Sequence, residues 1–155
     1  MTKLLWRVIG LLLLTFPQIT FAQNATDIHE FAMKFIEAEK AAWERGDLTA
    51  LQAMEHPDVV YQNIDGNVFR GWEGHRKDIE DAKASFNGAP ITQEWKYLMG
   101  EGNIFAVSYV WDIHFPGQIL KITGIAVCRV RDGKLVEEWG AGYELPSKGS
   151  QEMNK

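Results

Sequence analysis

Two glutamates stand where the surrounding pattern is otherwise apolar. From Asp27 onward Ile28, Phe31, Ala32, Phe35, Ala42 and Trp43 recur at three- and four-residue steps, the mark of one buried helix face. At about 100° per residue, Glu39 falls within about 20° of Ile28 on that stripe, while Glu30, Glu37 and Glu44 fall opposite. A carboxyl group there is either hydrogen-bonded or raised in pKa, and both states serve acid and base chemistry. Glu138 is the second: strand alternation sets it inward with Val136, Gly140 and Gly142, and sets Glu137 and Trp139 outward. A bulge, invited by the Gly140-Ala141-Gly142 run, would exchange Glu138 for Glu137. If Glu39 and Glu138 approach each other, like charge keeps one protonated and gives an acid and base pair.

Aromatic residues supply walls for such a pair. Phe105, Val107, Tyr109, Trp111, Ile113 and Phe115 share one side of a strand, and Gln93, Trp95 and Tyr97 share the inward side of the strand before it. Six Trp, four Tyr and eight Phe are more flat apolar surface than packing alone usually needs, so a pocket for a flat or ring-shaped molecule is expected. The histidines carry less weight. His29 lies at the edge of the helix stripe and His56 precedes a turn proline. His75 sits in a charged helix, one turn from Trp72 near an expected rim. His114 shares an outer strand face with Asp112, as a possible polar pair. None has a partner at metal spacing, so surface or hydrogen-bonded roles are expected and no metal or cofactor is implied. Cys128, the lone cysteine, reads as a small buried apolar residue.

The elements that must position these residues follow from punctuation. Thr26 caps the first helix and Gly46 stops it; Asp47 caps a short second helix through Met54, closed by His56-Pro57. A strand over 59–64, an Asp65-Gly66 turn and a return strand over 68–70 precede a third helix over 71–86. Four long strands follow, over 91–99, 104–115, 118–131 and 134–145, separated by Gly-rich turns. This order makes an α+β fold with helices on one side of an antiparallel meander.

The 155 residues carry 16 Lys+Arg against 21 Asp+Glu, which excludes an ordinary phosphate-backbone binder, so no nucleic-acid partner is expected. Residues 1–22 read as a leader, with Lys3 and Arg7 before an apolar run from Val8 to Phe16 and small residues around a cut after Ala22. Its removal leaves about 133 residues and a net charge of about -7, with no stable membrane anchor and a secreted or periplasmic location. The domain then spans 23–145, and 146–155 form a polar tail. Asn24-Ala25-Thr26 matches a glycosylation sequon, relevant only in a eukaryotic secretory pathway.

The stretch from Trp43 to Leu51, His56-Pro57-Asp58-Val59-Val60-Tyr61, the Asp65-Gly66 turn, Arg70-Gly71 and the segment from Arg131 to Trp139 together resemble the SnoaL-like branch of the nuclear transport factor 2-like superfamily. The resemblance covers about residues 26–145. It implies a cone-shaped α+β barrel, with a curved, mostly antiparallel sheet wrapped around the long N-terminal helix and a deep pocket, often dimeric through the sheet's outer face. It also turns Tyr61 and Asn63 toward the pocket. The superfamily's better-known catalytic positions do not carry over. In the polyketide-cyclase type an Asp, a His and an Asn would fall at Gly140, Ala126 and Tyr61. In the ketosteroid-isomerase type the base, the oxyanion-stabilising Asp and the helix Tyr would fall at Asn63, Ala126 and Glu39. Asn cannot take a proton and Ala cannot hold an oxyanion, so neither chemistry transfers.

Three readings follow. The first is an exported protein that binds a small apolar or aromatic molecule between Trp43, Tyr61, Asn63, Trp95, Tyr97, Tyr109 and Trp111. The second is a cofactor-independent isomerase, lyase or hydrolase with Glu39 as base and Glu138 in support. The third is a non-catalytic dimeric interaction module. A cone filled by its own Trp and Tyr rings would favour the third, and an open cone with Glu39 buried and unpaired would favour the second.

Overall fold

The first helix begins where a carboxylate can receive its free amides. Asp27, rather than the expected Thr26, is the cap: its Oδ1 accepts the backbone N–H of His29 at 3.0 Å and of Glu30 at 3.1 Å. The computed structural model describes residues 27–146. The leader, the sequon and the tail beyond Pro146 lie outside the described residues. Helix α1 (Ile28–Lys40) continues into a π-helical turn (Ala41–Arg45), which ends at Gly46 with φ of 76°. That left-handed cap suits glycine, and Lys83 reaches across to the carbonyls of Ala42 and Trp43 at 3.1 and 2.7 Å. Asp47 Oδ1 then accepts the Thr49 amide at 3.0 Å at the start of α2 (Thr49–Met54).

Strand β1 (Glu55–Gln62) starts four residues earlier than its hydrophobic pattern predicts, so Glu55 belongs to a strand and not to the helix end. It pairs antiparallel with β2 (Val68–Arg70), and α3 (Gly71–Ser85) follows. The four long strands stand close to their expected places: β3 (Ile91–Glu101), β4 (Ile104–Phe115), β5 (Gln118–Arg131) and β6 (Lys134–Leu145). Together they form one six-stranded sheet in the order β2-β1-β6-β5-β4-β3. All neighbours are antiparallel except β1 and β6, whose parallel pairing places Tyr61 beside Glu138. The helices pack against the concave face of this curved, mostly antiparallel sheet, which is the expected cone-shaped α+β architecture. Phe35, Leu51, Val59, Ile79, Phe105, Ile113 and Leu135 form its almost wholly buried core. Among the described residues no helix is long and apolar enough to cross a membrane.

Two irregularities decide which side chains face inward. In β3 the pairing with β4 breaks after Trp95 opposite Tyr109 and resumes at Leu98 opposite Val107. The extra residue reverses the alternation, so Leu98 turns to the core and Tyr97 is 73% exposed. The expectation that Tyr97 faces the pocket is therefore corrected. In β6 the slip lies between Leu135 and Glu137, ahead of the Gly-Ala-Gly run. Leu135 and Glu138 face the core, Val136 is displaced from the inward set, and Glu137 pairs on the outer face with Arg129 at 3.4 Å.

Candidate active site

Four ionisable side chains from four elements meet inside the cone. Glu39 comes from the last turn of α1 and is 4% exposed; Glu138 comes from β6 and is 6% exposed. His75 comes from α3 and is 1% exposed, and Glu55 from the start of β1 is 5% exposed. One carboxylate oxygen each of Glu39 and Glu138 and one ring nitrogen of His75 lie within 4.8 Å of one another. His75 Nδ1 and Glu55 Oε1 are 2.5 Å apart, a short hydrogen bond between fully enclosed groups. That bond commits Nδ1 and leaves Nε2 for the Glu39 and Glu138 side.

Local structure explains each placement. The π-helical turn directly after Glu39 brings Trp43 back over it, and Trp43 Nε1–H donates to Glu39 Oε2 at 3.0 Å. Oε1 of Glu39 has no protein partner, and neither has Oε2 of Glu138 or Oε2 of Glu55. The Tyr61 ring stacks on the His75 imidazole with centroids 3.9 Å apart, fixing the ring plane. Above the carboxyl groups the aromatic walls run as a chain: Trp43 to Trp111 at 4.4 Å, Trp111 to Tyr109 at 5.4 Å, and Tyr109 to Trp95 at 5.5 Å. Gly124 allows this, because a Cβ there would sit 2.5 Å from the Tyr109 hydroxyl.

Of the residues singled out from sequence, Glu39, Glu138, Trp43, Tyr61, Trp95, Tyr109 and Trp111 line one cavity of about 30 Å³. Two do not. Tyr97 faces out, and Asn63 is spent on the loop after β1: Oδ1 accepts the amides of Asp65 and Asn67 at 3.1 and 3.0 Å, and Nδ2 donates to Asp78 at 3.0 Å. Glu55 was not singled out, and His75 only as a residue one turn from Trp72 near the rim. A signal for His75 existed in the stripe Trp72, His75, Ile79, Ala82 and Phe86 at three- and four-residue steps, which the many charges of α3 obscure. His75 is thus on the floor of the cone, not near its rim. Asp112 and His114 do not pair with each other; Asp112 binds Lys121 and His114 Nε2 meets Thr92 Oγ1 at 3.1 Å. Cys128 is buried, as expected.

The electrostatics follow from burial. Desolvation pushes Glu39 up from 4.5 to about 7, with the charge of Glu55 adding to it, while His75 and the Trp43 hydrogen bond pull it back. Glu138 is raised well above the usual carboxyl range, first by burial and then by Glu39, with His75 opposing. Burial alone would lower His75, but the hydrogen bond and charge of Glu55, aided by Glu138 and Glu39, raise it from 6.5 to about 9. The floor is therefore an imidazolium bound to a carboxylate, and above it two carboxyl groups share a proton near neutral pH. Trp43 stabilises the ionised form of Glu39, whereas Oε2 of Glu138 has no donor, which favours the proton on Glu138. The cone is neither of the two extremes weighed from sequence: its own rings leave room for roughly one water molecule, yet Glu39 is buried with one oxygen unpaired. Glu39, His75 and Glu138 are also the described residues that could hold a metal ion.

The model of a SnoaL-like domain family matches residues 36–138. No curated protein matches the chain in sequence. Solved structures do share the fold. A candidate polyketide cyclase, IdmH from Streptomyces antibioticus, is 23% identical with a TM-score of 0.61, covering 75% of this chain and 91% of that one. AclR, a candidate hydroxylase from Streptomyces galilaeus, is 24% identical with a TM-score of 0.61, covering 75% and 90%. SalBIII, an epoxide hydrolase/cyclase-like enzyme of pyran ring formation in salinomycin, is 17% identical with a TM-score of 0.61, covering 76% and 93%.

The raised pKa values set the sign of the pH dependence. Native Glu39 keeps a proton between 4.5 and about 7 that the unfolded chain has released, and native His75 keeps one between 6.5 and about 9. In both windows the native state binds more protons, so stability falls as pH rises. Urea unfolding should show a free energy that declines from about pH 5 to about pH 9, and Glu39→Gln should flatten the part below about pH 7. A wild-type stability that climbs between about pH 5 and 7 would contradict the assignment.

Proposed function

The chain belongs to the SnoaL-like domain family, and from that membership we propose that it is an acid–base enzyme acting on a small apolar molecule, with Glu39 as general base and Glu138 as general acid. The observation that carries this reading is the pair of buried carboxyl groups, each with an unpartnered oxygen, on the wall of an aromatic cavity. A purely apolar binding pocket has no use for such a pair, because burying a carboxyl group without a partner costs stability. An interaction module working through its outer surface has none either. Glu39 is poised near neutral pH to take a proton, and Glu138 holds one to give. The imidazolium of His75, held by Glu55, offsets negative charge that builds on the pair or on the reacting molecule. Apolar walls exclude water and hold ring-shaped groups by burial and stacking. Isomerisation, elimination and hydrolysis all fit this proton inventory, and the reading needs no cofactor.

The same reading includes an exported chain, cleaved after Ala22, that pairs through the outer sheet face. Ile119, Ile125, Val127, Trp139 and Tyr143 are exposed there, an apolar patch of the kind that marks an interface. The exported protein should begin at Gln23 by N-terminal sequencing and sediment as a dimer that Trp139→Glu converts to monomer. A leader left attached, or a wild-type monomer, would remove this part of the proposal.

The catalytic part is tested by a thermal-shift and turnover screen of small aromatic and terpenoid compounds on wild type, Glu39→Gln and Glu138→Gln. Each substitution should keep the fold and lower kcat by about 10² to 10⁴-fold on any compound turned over, with or without a chelator. Wild-type kcat/KM should rise with pH through a midpoint near 7 as Glu39 ionises. Turnover indifferent to both substitutions would end the acid–base reading, and turnover abolished by the chelator would replace it with a metal-dependent one.

A further inference from the structure

Among the described residues, the carboxyl pair lines a cavity of about 30 Å³, too small to hold a substrate. Next to it, between α1 and β3, lies a cleft of about 350 Å³, within the range of roughly 300 to 1,000 Å³ typical of small-molecule sites. Its walls include Met33, Ile36, Gln93, Trp95 and Leu98. Among the described residues, Trp95 is the one that lines both spaces. The Trp95 indole is therefore the partition between a space large enough for a ligand and the groups that would act on it.

The partition is lightly held. Trp95 Nε1–H donates to Gln93 Oε1 at 3.4 Å, well beyond the usual 2.9 to 3.0 Å, and among the described rings it meets Tyr109 at 5.5 Å and Phe35 edge-on at 6.3 Å. It is only half-buried, and it stands at the last paired position before the β3 bulge, where the ladder to β4 is interrupted. Unpartnered polar atoms lie on both sides of it. Toward the cleft, Gln93 is 7% exposed and its Nε2 has no acceptor; toward the cavity, Trp111 Nε1, Glu39 Oε1 and Glu138 Oε2 lack partners. With the ring in place these atoms are sealed apart, so the closed arrangement leaves donors unpaired that an oxygen of a ligand could satisfy.

We propose that the α1–β3 cleft binds the substrate, that Trp95 swings to join the cleft to the Glu39–Glu138 cavity, and that the ligand is an uncharged apolar molecule carrying a carbonyl oxygen. This rests on the acid–base reading and names the substrate class for it. The carbonyl oxygen accepts from the Gln93 amide, which loses its bond to Trp95 when the ring moves. The apolar body takes the Met33, Ile36 and Leu98 wall. The rim decides the charge: Lys40 and Lys96 are balanced by Glu37 and Glu94, with Lys96 and Glu94 paired at 3.3 Å, so the cleft offers no net charge to an anion or a cation. The β3 bulge acquires a purpose in this arrangement, since it ends the ladder at the ring that has to move.

The test uses 6-acetyl-2-(dimethylamino)naphthalene, an uncharged aromatic ketone whose emission reports a dry environment. Wild type should bind it with a blue shift. Met33→Trp, at a half-exposed position that cannot upset the core, and Leu98→Trp should each weaken binding about tenfold by filling the cleft; Gln93→Leu should weaken it about threefold to tenfold, and Ile64→Trp, on the wall of the inner cavity, by less than about threefold. In protein carrying 5-fluorotryptophan, the Trp95 fluorine resonance, assigned with Trp95→Phe, should move on probe addition while that of Trp139 stays. No binding by wild type, binding indifferent to Met33→Trp, loss of binding in Ile64→Trp alone, or an unmoved Trp95 resonance would overturn the proposal. Because the readout is binding, Glu39→Gln should still take up the probe, so failure of the acid–base reading and failure of the cleft assignment are seen separately.

Discussion

Taking carboxyl groups out of water, and the repulsion that then arises between them, is the constraint on which this molecule turns. Two ionised carboxylates about 5 Å apart repel by roughly 3 kcal/mol even at an effective dielectric constant near 20. A single hydrogen bond returns only about 1 kcal/mol. Glu39 and Glu138 approach within 4.8 Å in the core, so the balance favours keeping a proton over ionising both. Among the described residues His75 supplies the positive charge that faces the pair, and its short bond to Glu55 uses up part of that charge. What remains is a cluster that gives or takes one proton near neutral pH.

The scaffold exists to hold that cluster together from four separate elements. The π-helical turn lets one side chain, Trp43, both close the aromatic wall and hold Glu39. Parallel pairing of β1 with β6 brings Tyr61 beside Glu138, and Tyr61 in turn stacks on His75, so the sheet register fixes the imidazole. Lys83 from α3 ties that helix to the end of the π turn. The Tyr61 contacts join β1, which carries Glu55, to β6 with Glu138 and to α3 with His75. A shift of any one would separate acid from base or admit water, and either would return the carboxyl groups toward their ordinary pKa values.

How much of this could be read from the chain depended on whether the signal was periodic. Glu39 was readable because a helix of thirteen residues imposes its period over several turns, and one charged residue on the apolar stripe stands out. Glu138 was readable by strand parity, although the slip near Val136 could have cost it; it precedes Glu138 and restores the inward phase by the time that residue is reached. Tyr97 was lost to the same kind of event in β3, where no glycine or proline marks the bulge. Asn63 shares the inward parity of β1 but is claimed by the turn that follows, and a loop's demand for hydrogen bonds leaves no periodic trace. Glu55 was hidden because the strand begins in a segment, Glu55-His56-Pro57-Asp58, with no apolar alternation. His75 was hidden because its helix is dominated by surface charges. Their meeting is tertiary: residues 39, 55, 75 and 138 are brought together only by closure of the sheet around α1.

The shared proton is most directly tested by a carbon-detected NMR titration of the Glu39 and Glu138 side-chain carboxyl carbons. The account predicts that Glu39 titrates with a midpoint near 7, that Glu138 is still protonated at that pH, and that replacing Glu39 by Gln lowers the midpoint of Glu138. Independent titration of both carbons at the ordinary glutamate value of about 4.3 would contradict it.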